Sequence, residues 1–180
     1  SVSAFLLNRS SDLEIYHVTF ITNQFLPKAK EAVFDFSGGF FLSHPELSKK
    51  QFDSHNAQLH RHDDGVVKEY DRLAKDSTGH NLVILHLMGS HVDYRARYPQ
   101  PAFRQFTPQQ YDRPELSDKQ KKILAHYDNS LLYNDSIVKA IIERFEDKDA
   151  IVIYMPDHGE EIFDGKPYMY GRMHGANIDY

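Results

Sequence analysis

The sequence predicts an α/β fold built on a mostly parallel sheet, and three observations carry that prediction. Three short apolar runs, His17–Thr22 (HVTFIT), Leu82–Leu87 (LVILHL) and Ala150–Met155 (AIVIYM), read as strands buried on both faces. Each leads at once into polar residues able to do chemistry: Asn23 and Gln24 after the first, Gly89, Ser90 and His91 after the second, Asp157, His158, Gly159 and Glu160 after the third. Open parallel sheets bind ligands beyond the carboxyl ends of their strands, so these groups are expected along one edge. A long helical period between the second and third runs supplies the crossover that parallel strands require.

In chain order, the apolar start SAFLL is separated from the strand at His17 only by residues 8–16. That is too short for a parallel crossover of about a dozen residues, so a gap in the chain or an unusual topology is expected there. A short helix is expected over Val66–Ala74, capped by Asp63 or Asp64. Tyr94–Pro114, rich in Pro, Gln, Arg and aromatics without a period, reads as a long surface excursion near the site. The long helix is expected over Ser117–Glu146, with Ser117 and Asp118 as its N-terminal signal. Its apolar face carries Ile123, Leu124, Tyr127, Leu131, Val138, Ile141, Ile142 and Phe145.

Composition narrows the function. The 180 residues, 41% hydrophobic and 26% charged, suit one globular domain. A net charge of -5 without a Lys/Arg stripe argues against a nucleic-acid partner. Without cysteine, any metal must bind through His, Asp, Glu or hydroxyl groups, and either redox compartment is open. No apolar run approaches the roughly 20 residues that span a bilayer. The opening SVSAFLLNRSS, without an initiator Met, reads as the interior of something longer.

Among the local motifs, PDHGEE at Pro156–Glu161 is the strongest. Asp157 and His158 can both ligate a dication such as zinc, with Gly159 turning the chain away; the alternative, which the dipeptide alone favours, is that Asp157 with Glu160 makes a helix-capping box. His91, in a Gly/Ser turn, can donate to a phosphate, exchange a proton or ligate a metal, and the alternative is an ordinary loop histidine. The same choice applies to His174 in Met173-His174-Gly175. His86 reads as a hydrogen-bonded strand residue, and His60-Arg61-His62-Asp63-Asp64 as a solvated cap.

Taken together, LVILHLMGSHVDYRARYPQPAFRQFTP, ILAHYDNSLLYNDSIV and IVIYMPDHGEE resemble the periplasmic domain of bacterial phosphoethanolamine transferases, from about His17 onward. The resemblance implies an alkaline phosphatase-like α/β/α sandwich, with residues 1–180 forming part of a sulfatase-like catalytic domain whose first strand and N-terminal membrane region lie outside them. It implies zinc on Asp157 and His158, completed by an upstream acidic residue and a nucleophilic threonine before Ser1; Ser1 and Ser3 are not that nucleophile. His91 and His174 would act on the substrate phosphate or a second zinc, with Lys28, Gln24 and Glu160 close to substrate. The implied activity takes phosphoethanolamine from phosphatidylethanolamine to an envelope glycolipid such as lipid A or lipopolysaccharide core. The implied setting is a monomer at the periplasmic face of a Gram-negative inner membrane. The rivals are a sulfatase or phosphodiesterase of the same superfamily, and a metal-free domain that kept the fold.

Overall fold

The computed structural model describes residues 16–24, 44–73, 79–165 and 168–171. The chain divides into two compact units, Ser1–Met88 and Gly89–Tyr180.

In the first unit, strand β1 (Tyr16–Thr22) is central, flanked by β2 (Ser54–His55) and β3 (His80–His86), both parallel to it. The register with β3 runs without offset from Tyr16 opposite His80 to Thr22 opposite His86. Val18, Thr19, Phe20, Ile21 and Thr22 are all buried, the continuous pattern of a strand covered on both faces. Two helices lie in the crossovers: α1 (Pro45–Gln51), with Pro45 in its first turn, and α2 (Asp64–Leu73). The second buries Val66, Val67 and Tyr70, and it begins two residues before the start expected from sequence. Ala74 lies outside the described residues. Gly65 is required at its position, because a Cβ there would fall 2.2 Å from His60 Cβ.

The cluster at 60–64 departs from the solvated cap expected of it. Asp63 is buried, and its Oδ1 accepts from Asn23 Nδ2 at 2.8 Å and from the Met88 amide at 3.1 Å. His60 Nε2 lies 3.1 Å from Glu69 Oε1, whose other oxygen takes Arg72. A carboxylate that satisfies two chain segments is better placed inside than in water.

In the second unit, helix α3 (Asp118–Glu143) is capped as expected by Ser117, which exchanges hydrogen bonds with Gln120. Tyr94, Leu116, Ile162 and Phe163 form a buried cluster against which Ile123, Leu124 and Tyr127 pack. The C-terminal part of the expected face differs: Leu131 and Ile142 are exposed, while Ala125, Asn129, Ser130, Tyr133 and Ile137 are buried. Asn129 explains why a polar residue sits inside. Its Oδ1 accepts from the amides of Gln105 and Phe106, and its Nδ2 donates to the carbonyls of Phe106 and Ala125. The 94–114 segment, irregular apart from 3-10 turns at Tyr94–Ala96 and Pro108–Gln110, is thereby pinned to α3, with Tyr94 and Tyr98 buried.

Among the described residues the third expected strand is not formed. Residues 150–155 have no ladder partner among the described residues, and Ile151 and Ile153 are 90% and 78% exposed. An apolar run becomes a strand only where a neighbour takes its backbone hydrogen bonds. Asn134 Nδ2 donates to the Tyr154 hydroxyl at 3.0 Å. Beyond it, β4 (Glu161–Ile162) and β5 (Tyr170–Gly171) pair antiparallel.

Candidate functional site

At the carboxyl end of β1, polar side chains replace apolar ones in the buried interior. The Thr22 amide donates to Asn56 Oδ1 and Asn56 Nδ2 returns a bond to the Thr22 carbonyl, at 3.0 and 2.8 Å. Asn23 receives the His60 amide and donates to Asp63. Next in sequence, Gln24 donates its amide to Thr22 Oγ1, while its side-chain Oε1 is buried without a hydrogen-bond partner among the described residues. A buried acceptor left open at a strand end is what a binding residue would present. His86 is structural, as its strand position suggested, with Nδ1 3.1 Å from Thr22 Oγ1. Lys28 and His174 lie outside the described residues.

In the second unit, Asp157 and His158 stand in a bend with no helix after them, which removes the helix-capping role for Asp157. His158 Nδ1 lies 2.8 Å from the Gly159 carbonyl, so Nδ1 carries the proton and Nε2 offers its lone pair. That Nε2 is 3.7 Å from Asp157 Oδ2. A tetrahedral zinc with bonds of about 2.0–2.2 Å separates neighbouring donors by about 3.3–3.5 Å, so a few tenths of an ångström of closure seats a metal between them. The donor chemistry fits zinc. Among the described residues no group of three or more His, Asp or Glu converges, so this pair is half of a usual ligand set.

Two further motifs meet this loop. Tyr94, three residues beyond His91, donates its hydroxyl to Glu160 Oε2 at 2.9 Å. A Cβ on Gly171 would lie 3.2 Å from Val92 and 3.9 Å from Glu160 Oε2, so that glycine lets the segment after His91, the Glu160 loop and β5 close on one another. His91 itself is exposed, with Nδ1 3.3 Å from the Val92 carbonyl, and Arg97 clasps the carbonyls of His91 and Val92. The adjacent Ser90 hydroxyl is buried without a partner among the described residues. Sequence reasoning missed Tyr94 and Arg97; the signal was there, since an aromatic in an otherwise polar stretch needs somewhere to be buried.

Comparison with known proteins identifies the family of the chain. The Sulfatase family profile matches residues 14–179. Phosphoethanolamine transferase EptC of Escherichia coli is 32% identical over 120 residues, 66% of this chain and 20% of that protein. Kdo(2)-lipid A phosphoethanolamine 7''-transferase of Escherichia coli K12 is 40% identical over 90 residues, 50% of this chain and 16% of that protein. The chain thus spans about a fifth of the length of the curated relatives it matches. The crystal structure of the C-terminal periplasmic domain of Escherichia coli EptC superposes with a TM-score of 0.70 at 27% identity, covering 91% of this chain and 45% of that one. A second crystal structure of that domain, in complex with zinc, gives 0.63 at 26% identity, again over 91% and 45%. The expected alkaline phosphatase-like α/β class is that of these neighbours. No helix among the described residues is long and apolar enough to cross a membrane. The chain belongs to the sulfatase family, and within it resembles the phosphoethanolamine transferases.

Proposed function

We propose that this chain is the catalytic part of a phosphoethanolamine transferase acting at the periplasmic face of the inner membrane. Phosphatidylethanolamine is the donor, and the acceptor is an envelope glycolipid such as lipid A or lipopolysaccharide core. The observation that carries the reading is the Asp157–His158 pair, with the imidazole held in its ligand-competent tautomer and the relatives bearing that activity in their names.

Asp157 and His158 would hold zinc, with the rest of the usual set of about four ligands, and the nucleophilic hydroxyl, coming from outside the described residues. Zinc bound there supplies Lewis acidity at neutral pH. The protein's own residues do the remainder. His158 donates its Nδ1 hydrogen to the Gly159 carbonyl, which leaves Nε2 as the nitrogen that would face a metal. His91, exposed beside the Val92 carbonyl, would meet a phosphoryl oxygen, where a hydrogen-bond donor counts most as negative charge grows. The family resemblance assigns Lys28 and His174 to the substrate as well. Gln24 Oε1, an open acceptor, suits a hydroxyl or ammonium of the substrate.

The test uses the purified intact protein with zinc, phosphatidylethanolamine, and lipid A present or absent. Phosphoethanolamine on lipid A supports the reading. Release of free phosphoethanolamine irrespective of acceptor would instead indicate a hydrolase of the same family, and no turnover of the donor under either condition would overturn both.

A further inference from the structure

We propose that Tyr94 is a positioning residue for the metal-binding loop: its hydroxyl holds Glu160, and through Glu160 it fixes the Asp157–His158 donor pair. The inference rests on the zinc reading above.

The loop needs an anchor. Residues 150–156 before it are exposed and have no ladder partner among the described residues, Asp157 and His158 occupy a bend, and Gly159 adds freedom. The first regular structure after it is the two-residue strand at Glu161. The Tyr94 hydroxyl, 2.9 Å from Glu160 Oε2, ties this loop to a side chain 66 positions away.

Tyr94 is built to be the fixed end of that tie. It is 3% exposed, clustered with Leu116, Ile162 and Phe163, and its ring meets Tyr127 edge-on at 5.1 Å and Tyr170 at 6.4 Å. Asp93 before it adopts a left-handed conformation, φ 67°, which turns the chain so that Tyr94 enters the core. Burial first, and then the Glu160 charge, hold its proton far above the ordinary tyrosine range, so it donates at every working pH. Groups that orient metal ligands from behind typically control metal affinity or activity by about 10–100-fold.

A buried tyrosine that merely satisfies its hydroxyl would look similar, and Tyr98 supplies the comparison: 1% exposed, its hydroxyl 2.8 Å from His126 Nδ1, remote in sequence from the donor loop. The experiment measures zinc affinity of the intact protein by chelator competition, together with metal-free melting temperature, for wild type, Tyr94→Phe, Glu160→Ala, the double variant and Tyr98→Phe. Tyr94→Phe keeps the ring and its packing, and Glu160→Ala leaves the core untouched. The expected result is zinc binding weakened about 10–100-fold in Tyr94→Phe, weakened in Glu160→Ala, no further weakened in the double variant, and within about twofold of wild type in Tyr98→Phe. Wild-type affinity in Tyr94→Phe, additive losses in the double variant, or an equal loss in Tyr98→Phe would each overturn the proposal while leaving the zinc reading intact. A wild-type protein that binds no zinc would overturn both.

Discussion

The carboxamide of Asn23 donates to the carboxylate of Asp63 at 2.8 Å, with both side chains buried. The same carboxylate oxygen takes the amide of Met88, the residue before Gly89-Ser90-His91. One side chain on the approach to α2 therefore secures the chain after β1 and the chain after β3, the two exits from which candidate site residues follow.

Asp63→Ala is accordingly expected to destabilise the intact protein by about 2–3 kcal/mol, since it strands buried donors. Asp63→Asn, which keeps an acceptor oxygen, is expected to cost about 1 kcal/mol. Urea denaturation measures both; equal effects of the two substitutions would show that the accepted hydrogen bonds are not what matters.

Asn129 does the corresponding work in the second unit, with four hydrogen bonds to backbone groups of Gln105, Phe106 and Ala125. Asn129→Ala is expected to cost about 2–4 kcal/mol, from buried backbone groups left without partners. It should also expose the segment around Phe106 to limited proteolysis. An unchanged cleavage pattern would mean that the segment is held by Tyr94 and Tyr98 alone.

These two residues also show where sequence reading stops. Strands β1 and β3 and helix α3 were legible because apolar runs and a Ser cap encode local structure directly. Asn129 and Asp63 were not, because a polar residue is buried only when a distant backbone comes to meet it, and nothing in its own neighbourhood announces that. The apolar run at 150–155 misled for the opposite reason: its pattern is that of a strand, yet no partner among the described residues completes it. The Asp157–His158 pair stands out in the motif alone, whereas the Tyr94–Glu160 hydrogen bond required the fold.

His126 gives a pH signature. Its pKa lies below the ordinary histidine value near 6.5, because of burial first and then the positive charges of Arg95, Lys122 and Arg104. The unfolded chain therefore takes up this proton before the folded one does, so the stability is complete above about 6.5 and is lost as pH falls through the depressed value. His126→Gln, which can still accept from Tyr98, should flatten the decline in melting temperature between about pH 7.5 and 5. A decline as steep as that of wild type would refute this.

On the proposed function, His91→Ala and His174→Ala in the intact protein are each expected to lower turnover by about 10²–10³ while zinc is retained, as for loss of one transition-state donor. Near-normal turnover would make them ordinary loop histidines. Loss of all zinc would place them among the ligands of the primary metal.

The central claim is that Asp157 and His158 hold the metal on which activity depends, and the most direct measurement is zinc content alongside phosphoethanolamine transfer in Asp157→Ala, His158→Ala and His62→Ala. Each of the first two removes one ligand from a site with about four, so zinc and transfer are expected to disappear together, while His62→Ala keeps both. Wild-type zinc stoichiometry in Asp157→Ala and His158→Ala would contradict the assignment.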